Sequence, residues 1–263
     1  MDLGLTGKSV IVMAGSKGLG KATALEFAVE GAKVVIGSRN EAELEQAVAE
    51  IKEKTGNPDV SYVACDVMKV DDIKKIVAFA AEKNGGIDVL INNAGGPPAG
   101  GFDQFTDEDW QKAYELNLLS YIRAIREVLP YMREQDSGHI LNFASSSIKQ
   151  TLDNLLLSNT FRAGIVGLAK SLSQEFSKDK ILINTLGPGR IATDRVEELD
   201  RMRANKLNQS YEELKKSTEK GIPMGRYGQP NEFAKQAVFL CSGANTYVTG
   251  QTLLVDGGLV KAL

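Results

Sequence analysis

The chain has 263 residues, of which 43% are hydrophobic and 25% are charged. This composition is ordinary for a globular protein, and it excludes a disordered chain or a small disulfide-rich domain. The 31 basic and 34 acidic residues leave a net charge of −3, which gives no electrostatic attraction to nucleic acid.

Short aliphatic and β-branched runs alternate along the chain with longer helical segments. The predicted strands lie at 9–13, 33–36, 60–64, 88–91, 139–143, 181–186 and 252–255. The predicted helices lie at 18–30, 40–54, 69–84, 107–135, 158–177 and 230–242. Alternation of this kind indicates βαβ units, parallel strands and right-handed crossovers. The sequence therefore predicts one α/β domain over residues 1–263, a doubly wound parallel sheet of about seven strands with helices on both faces.

Several kinds of site are not expected. Cys65 and Cys241 lack CxxC spacing and are expected to be reduced thiols. A single histidine, His139, does not favour a histidine-based metal site or a Ser-His-Asp triad, so we expect no metal. No segment reaches the ~20 apolar residues of a membrane span, and the first residues do not resemble a secretory signal. We therefore expect a cytoplasmic protein without a membrane partner.

Residues 194–221 interrupt the alternation with a strongly charged segment. This pattern is typical of a helical excursion, which can form a lid over a site. A pair of solvated surface helices is the alternative interpretation.

The first predicted strand runs directly into the sequence Ala14-Gly15-Ser16-Lys17-Gly18-Leu19-Gly20, which opens the first predicted helix. Glycines allow a tight turn and a close approach of the backbone to a pyrophosphate, and a helix N-terminus favours negative charge. The loop therefore predicts a dinucleotide site. A tight turn without a ligand is the alternative.

Motifs along nearly the whole chain resemble those of the short-chain dehydrogenase/reductase family, which has the Rossmann fold, and in particular its 3-oxoacyl-carrier-protein-reductase-like branch. In this comparison Gly15, Gly18 and Gly20 match the glycines of Thr-Gly-xxx-Gly-x-Gly, and Ala14 replaces the threonine. The other matches are Asp66-Val67, Asn92-Asn93-Ala94-Gly95, Asn117, Ser145, Pro188-Gly189-Arg190-Ile191-Ala192-Thr193 and Asp256-Gly257-Gly258. The resemblance implies a cofactor site formed by Gly15, Ser16, Lys17, Gly18, Leu19, Gly20, Ser38, Arg39, Asp66, Val67, Asn93, Ala94, Gly95, Arg162, Pro188, Gly189, Ile191 and Thr193.

The charge at the end of the second predicted strand bears on the choice of cofactor. A carboxylate there binds the ribose 2′-hydroxyl of NAD and repels a 2′-phosphate. This chain has Arg39 instead, which can pair bidentately with a phosphate, and Lys17 adds a second cation. The sequence therefore favours NADP(H) over NAD(H). Ordinary surface cations are the alternative.

The family's catalytic Tyr-x-x-x-Lys pair is absent from its expected place. Ser158 lies 13 residues after Ser145, at the family's usual offset for the tyrosine, and Arg162 falls at the lysine position. A serine hydroxyl is a far weaker acid than a phenol, and arginine stays protonated at working pH. The resemblance thus implies a catalytic set of Asn117, Ser145, Ser158 and Arg162 with impaired proton transfer.

Two further pairs of residues are candidates for the missing proton transfer. Tyr211 and Lys215 also have Tyr-x-x-x-Lys spacing, but they lie in the charged excursion and are interpreted as a coincidence. Lys149 and Asp153 are candidates for moving protons through water, or else exposed loop charges.

Three functions remain open from the sequence. The first is an NADP(H)-dependent oxidoreductase acting on a small carbonyl or alcohol substrate. The second is a catalytically silent cofactor-binding sensor or scaffold, and the third is non-redox chemistry on the same fold. The resemblance also implies a homo-oligomer, either a dimer or a tetramer.

Overall fold

The computed structural model describes residues 2–262 and contains one seven-stranded sheet. All its strands are parallel, in the order β3-β2-β1-β4-β5-β6-β7. The strands are β1 (Ser9–Met13), β2 (Lys33–Ser38), β3 (Val60–Ala64), β4 (Val89–Asn92), β5 (Gly138–Phe143), β6 (Ile181–Pro188) and β7 (Thr252–Val255). This confirms the predicted doubly wound sheet, and each observed strand overlaps its predicted position.

Nine α-helices are found within residues 2–262. They are α1 (Gly18–Val29), α2 (Glu41–Thr55), α3 (Val70–Asn84), α4 (Asp107–Tyr114), α5 (Ser120–Glu134), α6 (Leu156–Phe176), α7 (Asp194–Lys206), α8 (Tyr211–Lys220) and α9 (Pro230–Leu240). None of these helices is long and apolar enough to cross a membrane.

The hydrophobic core has two layers, one on each face of the sheet. One layer packs Phe27 of α1 and Phe233 of α9 against strand residues of one face. The other packs Ile73 of α3 and Val128 of α5 against the opposite face. The central strands β1 and β4 are therefore buried on both faces, which is why they show no period-2 alternation of polar and apolar residues.

The prediction of one continuous helix over 107–135 is wrong. Helices α4 and α5 are joined by a π-helical turn, Glu115–Leu119. Such a turn holds an extra residue, so it changes the direction of the side chains that follow it. Trp110 before the turn contacts Phe161 of α6, with ring centroids 5.8 Å apart, whereas Ile125 after the turn packs into the sheet core.

Cys65 and Cys241 are free and buried, as the sequence predicts. Burial is the main cause that raises the pKa of the Cys65 thiol to about 12, so this thiol stays protonated. His139 lies on β5, and its Nε2 is 3.3 Å from the carbonyl oxygen of Asn245. The surroundings of these three residues therefore indicate structural roles.

Candidate active site

In the loop that follows β1, the family's glycine motif aligns one residue earlier than predicted from the sequence. Ala14 has a left-handed backbone with φ +48°, and Gly18 has φ +53°. In the family motif the second glycine comes four positions after the first, and Gly18 comes four positions after Ala14. The assignment of Ala14 to the threonine position is thus wrong: Met13 holds that position, Ala14 replaces the first glycine, and Gly15 is the variable residue after it.

The loop and the start of α1 form a tight concave backbone. A Cβ on Gly20 would overlap the carbonyl oxygen of Ala14, which also accepts a hydrogen bond from Asn93 Nδ2 at 3.3 Å. Lys17 precedes α1 and makes no side-chain capping hydrogen bond. The first N–H groups of α1 and the positive end of its dipole are therefore available to an anion. This cradle fits the pyrophosphate of a dinucleotide.

The end of β2 lies beside this loop. Ser16 Oγ donates to Ser38 Oγ at 3.1 Å, which fixes the two segments together. Arg39 is exposed and forms no ion pair with any residue in 2–262. Lys17 instead pairs with Glu43 of α2, with Nζ and Oε1 2.9 Å apart. That hydrogen bond and the charge of Glu43 raise the pKa of the Lys17 ammonium.

Further predicted cofactor residues reach the same edge from the neighbouring strands. Asp66 and Val67 follow β3, and the Asp66 carboxylate accepts a hydrogen bond from the Met68 backbone N–H at 3.0 Å. Asn93, Ala94 and Gly95 follow β4. Carboxyl ends of parallel strands meet at one edge of a sheet, so these residues and the loop after β1 border one crevice.

The π-helical turn connects directly to that crevice. Asn117 lies within the turn, is fully buried and donates from Nδ2 to the Gly95 carbonyl oxygen at 2.8 Å. Its Oδ1 is also buried, and no hydrogen-bond partner for it is found in residues 2–262. The structure thus places Asn117 against the segment after β4, with one free acceptor.

Two of the residues at the expected catalytic positions, Ser145 and Arg162, lie at the end of β5. Ser145 follows the strand, and its Oγ accepts a hydrogen bond from the Ser147 backbone N–H at 3.1 Å. Ser158 and Arg162 lie on α6 and are each 7% exposed. Arg162 Nη1 donates to the Phe143 carbonyl oxygen at 3.0 Å, so the backbone of β5 holds this guanidinium in place.

Tyr121 shares this environment, although it belongs to none of the motifs found in the sequence. Its hydroxyl donates to the same Phe143 oxygen at 2.9 Å, and the side chain is buried. Burial raises the pKa of the Tyr121 hydroxyl, and the nearby Arg162 charge opposes that rise. Tyr121 lies one helical turn after Asn117, on the same side of the helix, and this spacing is the feature of the sequence that indicates its proximity to the site.

The segment after β6 closes another side of the crevice. A Cβ on Gly189 would overlap Asp256, so these two predicted motifs pack directly together. Thr193 caps α7, accepting from the Val196 backbone N–H at 3.4 Å, and its methyl group lies 3.7 Å from a Cβ built on Gly18. The structure therefore brings the segment Pro188–Thr193 next to the loop after β1, with Ile191 buried.

The charged excursion is a pair of helices, α7 and α8, as predicted. Asp200 of α7 is fully buried and pairs with Arg190, with Oδ1 and Nη1 2.7 Å apart. Tyr227 donates its hydroxyl to the other Asp200 oxygen at 2.7 Å. At the start of α7, Arg195 approaches the Pro97 carbonyl oxygen, at 3.5 Å. The excursion is thus fixed to the segment after β6, a connection that the charged composition did not reveal.

The remaining candidates are either exposed or half-buried. Lys149 and Asp153 are exposed. Tyr211 lies on α8, where the guanidinium carbon of Arg201 is 4.5 Å from its ring centroid. The interpretations of Lys149 and Asp153 as loop charges, and of the Tyr-x-x-x-Lys spacing as a coincidence, stay predictions.

Comparisons with known proteins match almost the entire chain. Residues 13–260 match the family described as Enoyl-(Acyl carrier protein) reductase. The 3-oxoacyl-[acyl-carrier-protein] reductase of Thermotoga maritima is 35% identical over 258 residues, covering 97% of this chain and 99% of the relative. The 7alpha-hydroxysteroid dehydrogenase of Escherichia coli is 31% identical over 262 residues, covering 100% of this chain and 98% of the relative.

One solved structure is similar to this chain in both fold and sequence. L-sorbose reductase from Gluconobacter frateurii, complexed with NADPH and L-sorbose, superposes with a TM-score of 0.94 and 33% identity, covering 100% of both chains. The sheet order, the crevice at the carboxyl edge and these matches lead to one assignment. The chain belongs to the short-chain dehydrogenase/reductase family.

Proposed function

We propose that the chain is an NADP(H)-dependent oxidoreductase that interconverts a small carbonyl compound and the corresponding alcohol. One observation carries the proposal: the left-handed loop and uncapped start of α1 form an anion cradle, and the exposed Arg39 follows the adjacent strand. NADPH is present in the solved complex of L-sorbose reductase, which supports the same choice of cofactor.

The residues around the crevice have distinct proposed roles. The backbone from Gly15 to Gly20 holds the pyrophosphate, while Ser16, Ser38 and Arg39 face the adenosine 2′-phosphate. Asp66 and Val67 border the adenine. The segments Asn93–Gly95 and Pro188–Thr193 line the nicotinamide side, where the bound cofactor supplies or accepts a hydride.

We propose that Ser158 and Arg162 occupy the family's tyrosine and lysine positions. Ser145 and Ser158 bind the substrate oxygen, and Arg162 stabilises developing negative charge and contacts the ribose. Because neither Ser158 nor Arg162 transfers a proton readily at neutral pH, the proton comes from solvent. The free Oδ1 of Asn117 is suited to hold a water molecule.

A second candidate function is a catalytically silent cofactor-binding protein. The contact that favours it is the pair of hydrogen bonds from Arg162 and Tyr121 to the Phe143 carbonyl oxygen. In this arrangement the hydroxyl proton of Tyr121 and one Nη1–H group of Arg162 are used in hydrogen bonds to the backbone. Tyr121 therefore does not replace the missing catalytic tyrosine.

The two candidates differ in the outcome of one kinetic experiment. NADPH oxidation at 340 nm is followed with a panel of ketones and aldehydes, using the unmodified protein and the double variant Ser158→Tyr with Arg162→Lys. The oxidoreductase proposal expects turnover by the unmodified protein. Turnover only by the double variant would support the silent protein instead.

Tyr211→Phe is the matched control for this experiment. It removes the hydroxyl group of the coincidental Tyr-x-x-x-Lys spacing on helix α8. Unchanged turnover is expected, whereas a loss of turnover would identify Tyr211 as a proton donor and contradict the assignment of the site.

We also propose a homo-oligomer, as the family resemblance implies. At the β7 edge of the sheet, Leu253 is 41% exposed and Tyr247 is 96% exposed, so apolar surface remains there for a second copy to cover. Light scattering during size-exclusion chromatography tests the proposal, and a monomer at micromolar concentration would contradict it.

A further inference from the structure

Three charged side chains surround the proposed 2′-phosphate position, and one of them has the opposite sign. Lys17 and Arg39 are cations on the two adjoining segments, and Glu43 lies in the first turn of α2. Glu43 Oε1 accepts hydrogen bonds from Lys17 Nζ at 2.9 Å and from Asn40 Nδ2 at 3.2 Å. The carboxylate is thus held in place from two sides.

The helix cap fixes the backbone of Glu43 as well. Asn40 caps α2, and its Oδ1 accepts from the Glu43 backbone N–H at 3.3 Å. This cap keeps the Glu43 backbone in the first turn of α2, beside the end of β2. The raised pKa of Lys17 has its main cause in Glu43, with a smaller contribution from Asp194.

A 2′-phosphate must compete with this carboxylate for Lys17. Arg39 forms no ion pair in residues 2–262, so it is the unopposed cation of the group. Since a carboxylate also repels a phosphate directly, Glu43 weakens phosphate binding in two ways.

We propose that Glu43 is a specificity-determining residue that limits the affinity for a 2′-phosphate and so narrows the preference for NADPH over NADH. This inference rests on the proposed cofactor site. Glu43 lowers the affinity for the 2′-phosphate, whereas Lys17 and Arg39 raise it. The effect is confined to the adenosine end of the cofactor.

The test uses fragments of the cofactor that contain no nicotinamide. Calorimetric titrations compare adenosine 2′,5′-bisphosphate with adenosine 5′-monophosphate on the unmodified protein, Glu43→Gln and Glu45→Gln. Glutamine keeps the volume of the side chain and the Oε1 acceptor for Asn40. Glu45 is an exposed carboxylate on the same helix, so its variant has the same change in net charge without loss of the Lys17 pair.

Glu43→Gln is expected to bind the bisphosphate about threefold to tenfold more tightly at low salt, with less than about a twofold change for the monophosphate. The gain should shrink at ~0.5 M salt because screening is strong there. Glu45→Gln should change neither affinity by more than about twofold.

The proposal is overturned if Glu43→Gln and Glu45→Gln behave alike, if both nucleotides gain equally, or if none of the proteins binds the bisphosphate. These outcomes are separable from failure of the proposed function. If Glu43→Gln gains affinity for the bisphosphate but the unmodified protein never oxidises NADPH, the role of Glu43 stands and the proposed oxidoreductase function fails. If the unmodified protein oxidises NADPH but Glu43→Gln shows no gain in affinity, only the role of Glu43 fails.

Discussion

At Ala14 the backbone takes a left-handed conformation that costs an L-residue about 1–2 kcal/mol. The turn is nevertheless required, because the chain must pass from β1 into α1 with the Ala14 oxygen close to Gly20. A glycine would adopt the same φ without the Cβ penalty, although it gains more freedom in the unfolded chain. The free-energy cost of this left-handed conformation therefore comes from a single residue of the cofactor loop, Ala14.

Ala14→Gly is expected to raise the free energy of unfolding by about 0.5–1 kcal/mol, since relief of the left-handed strain exceeds the entropy cost. Urea denaturation measures this change. The matched control is Ala49→Gly, at an exposed position inside α2, which should lower the free energy of unfolding by about 1 kcal/mol. Changes of the same sign in both variants would contradict the strain argument.

At the scale of elements, the structure fixes α7 and α8 beside the crevice through one buried carboxylate. Asp200 contacts Arg190 in the segment after β6 and Tyr227 in the segment before α9. The Gly228 backbone N–H also donates to the Arg190 carbonyl oxygen at 2.9 Å. Asp200 therefore connects three separate segments, and one of them is proposed to line the nicotinamide.

Asp200→Asn should destabilise this connection by about 3 kcal/mol, because removal of one partner leaves the Arg190 charge without compensation. Hydrogen exchange should become faster in residues 194–220 while β1 and β4 keep their protection. Glu197→Gln is the control on the same helix, where the ion pair with Arg201 is exposed and contributes little. Unchanged exchange in Asp200→Asn would contradict the role of Asp200.

At the scale of the whole molecule, stability should depend on pH through the half-buried His139. Burial lowers the pKa of its imidazole, so the folded protein keeps the ring neutral where the unfolded chain, with a histidine pKa of about 6.5, binds a proton. The unfolded state then binds more protons, and stability is lost as the pH falls below about 6.5.

Between pH 8 and pH 5.5 this single group should lower the free energy of unfolding, with a slope of at most about 1.4 kcal/mol per pH unit. Urea denaturation of the unmodified protein and of His139→Gln measures the difference. The variant should lose less stability over this range, since glutamine does not titrate. An equal loss in both proteins would exclude His139 as the cause.

The sequence predicts the sheet well because strand formation follows from local apolar runs such as 9–13 and 252–255. The π-helical turn was missed, since it depends on the contact of Asn117 with Gly95, 22 residues away. Tyr121 and Asp200 were missed as site residues for the same reason: their partners, Phe143 and Tyr227, are distant along the chain. Spacing predicts the positions of Ser158 and Arg162, but not the hydrogen bond from Arg162 to Phe143, because these two residues are 19 positions apart along the chain.

The central claim is a dinucleotide site with a preference for the 2′-phosphate, and a titration tests it without a guess of substrate. NADPH and NADH are added separately to the unmodified protein and to Arg39→Asp, and the fluorescence of the reduced nicotinamide is followed. We expect NADPH to bind about tenfold more tightly than NADH, and Arg39→Asp to weaken NADPH much more than NADH. No binding of either cofactor, or equal losses for both in Arg39→Asp, would contradict the account.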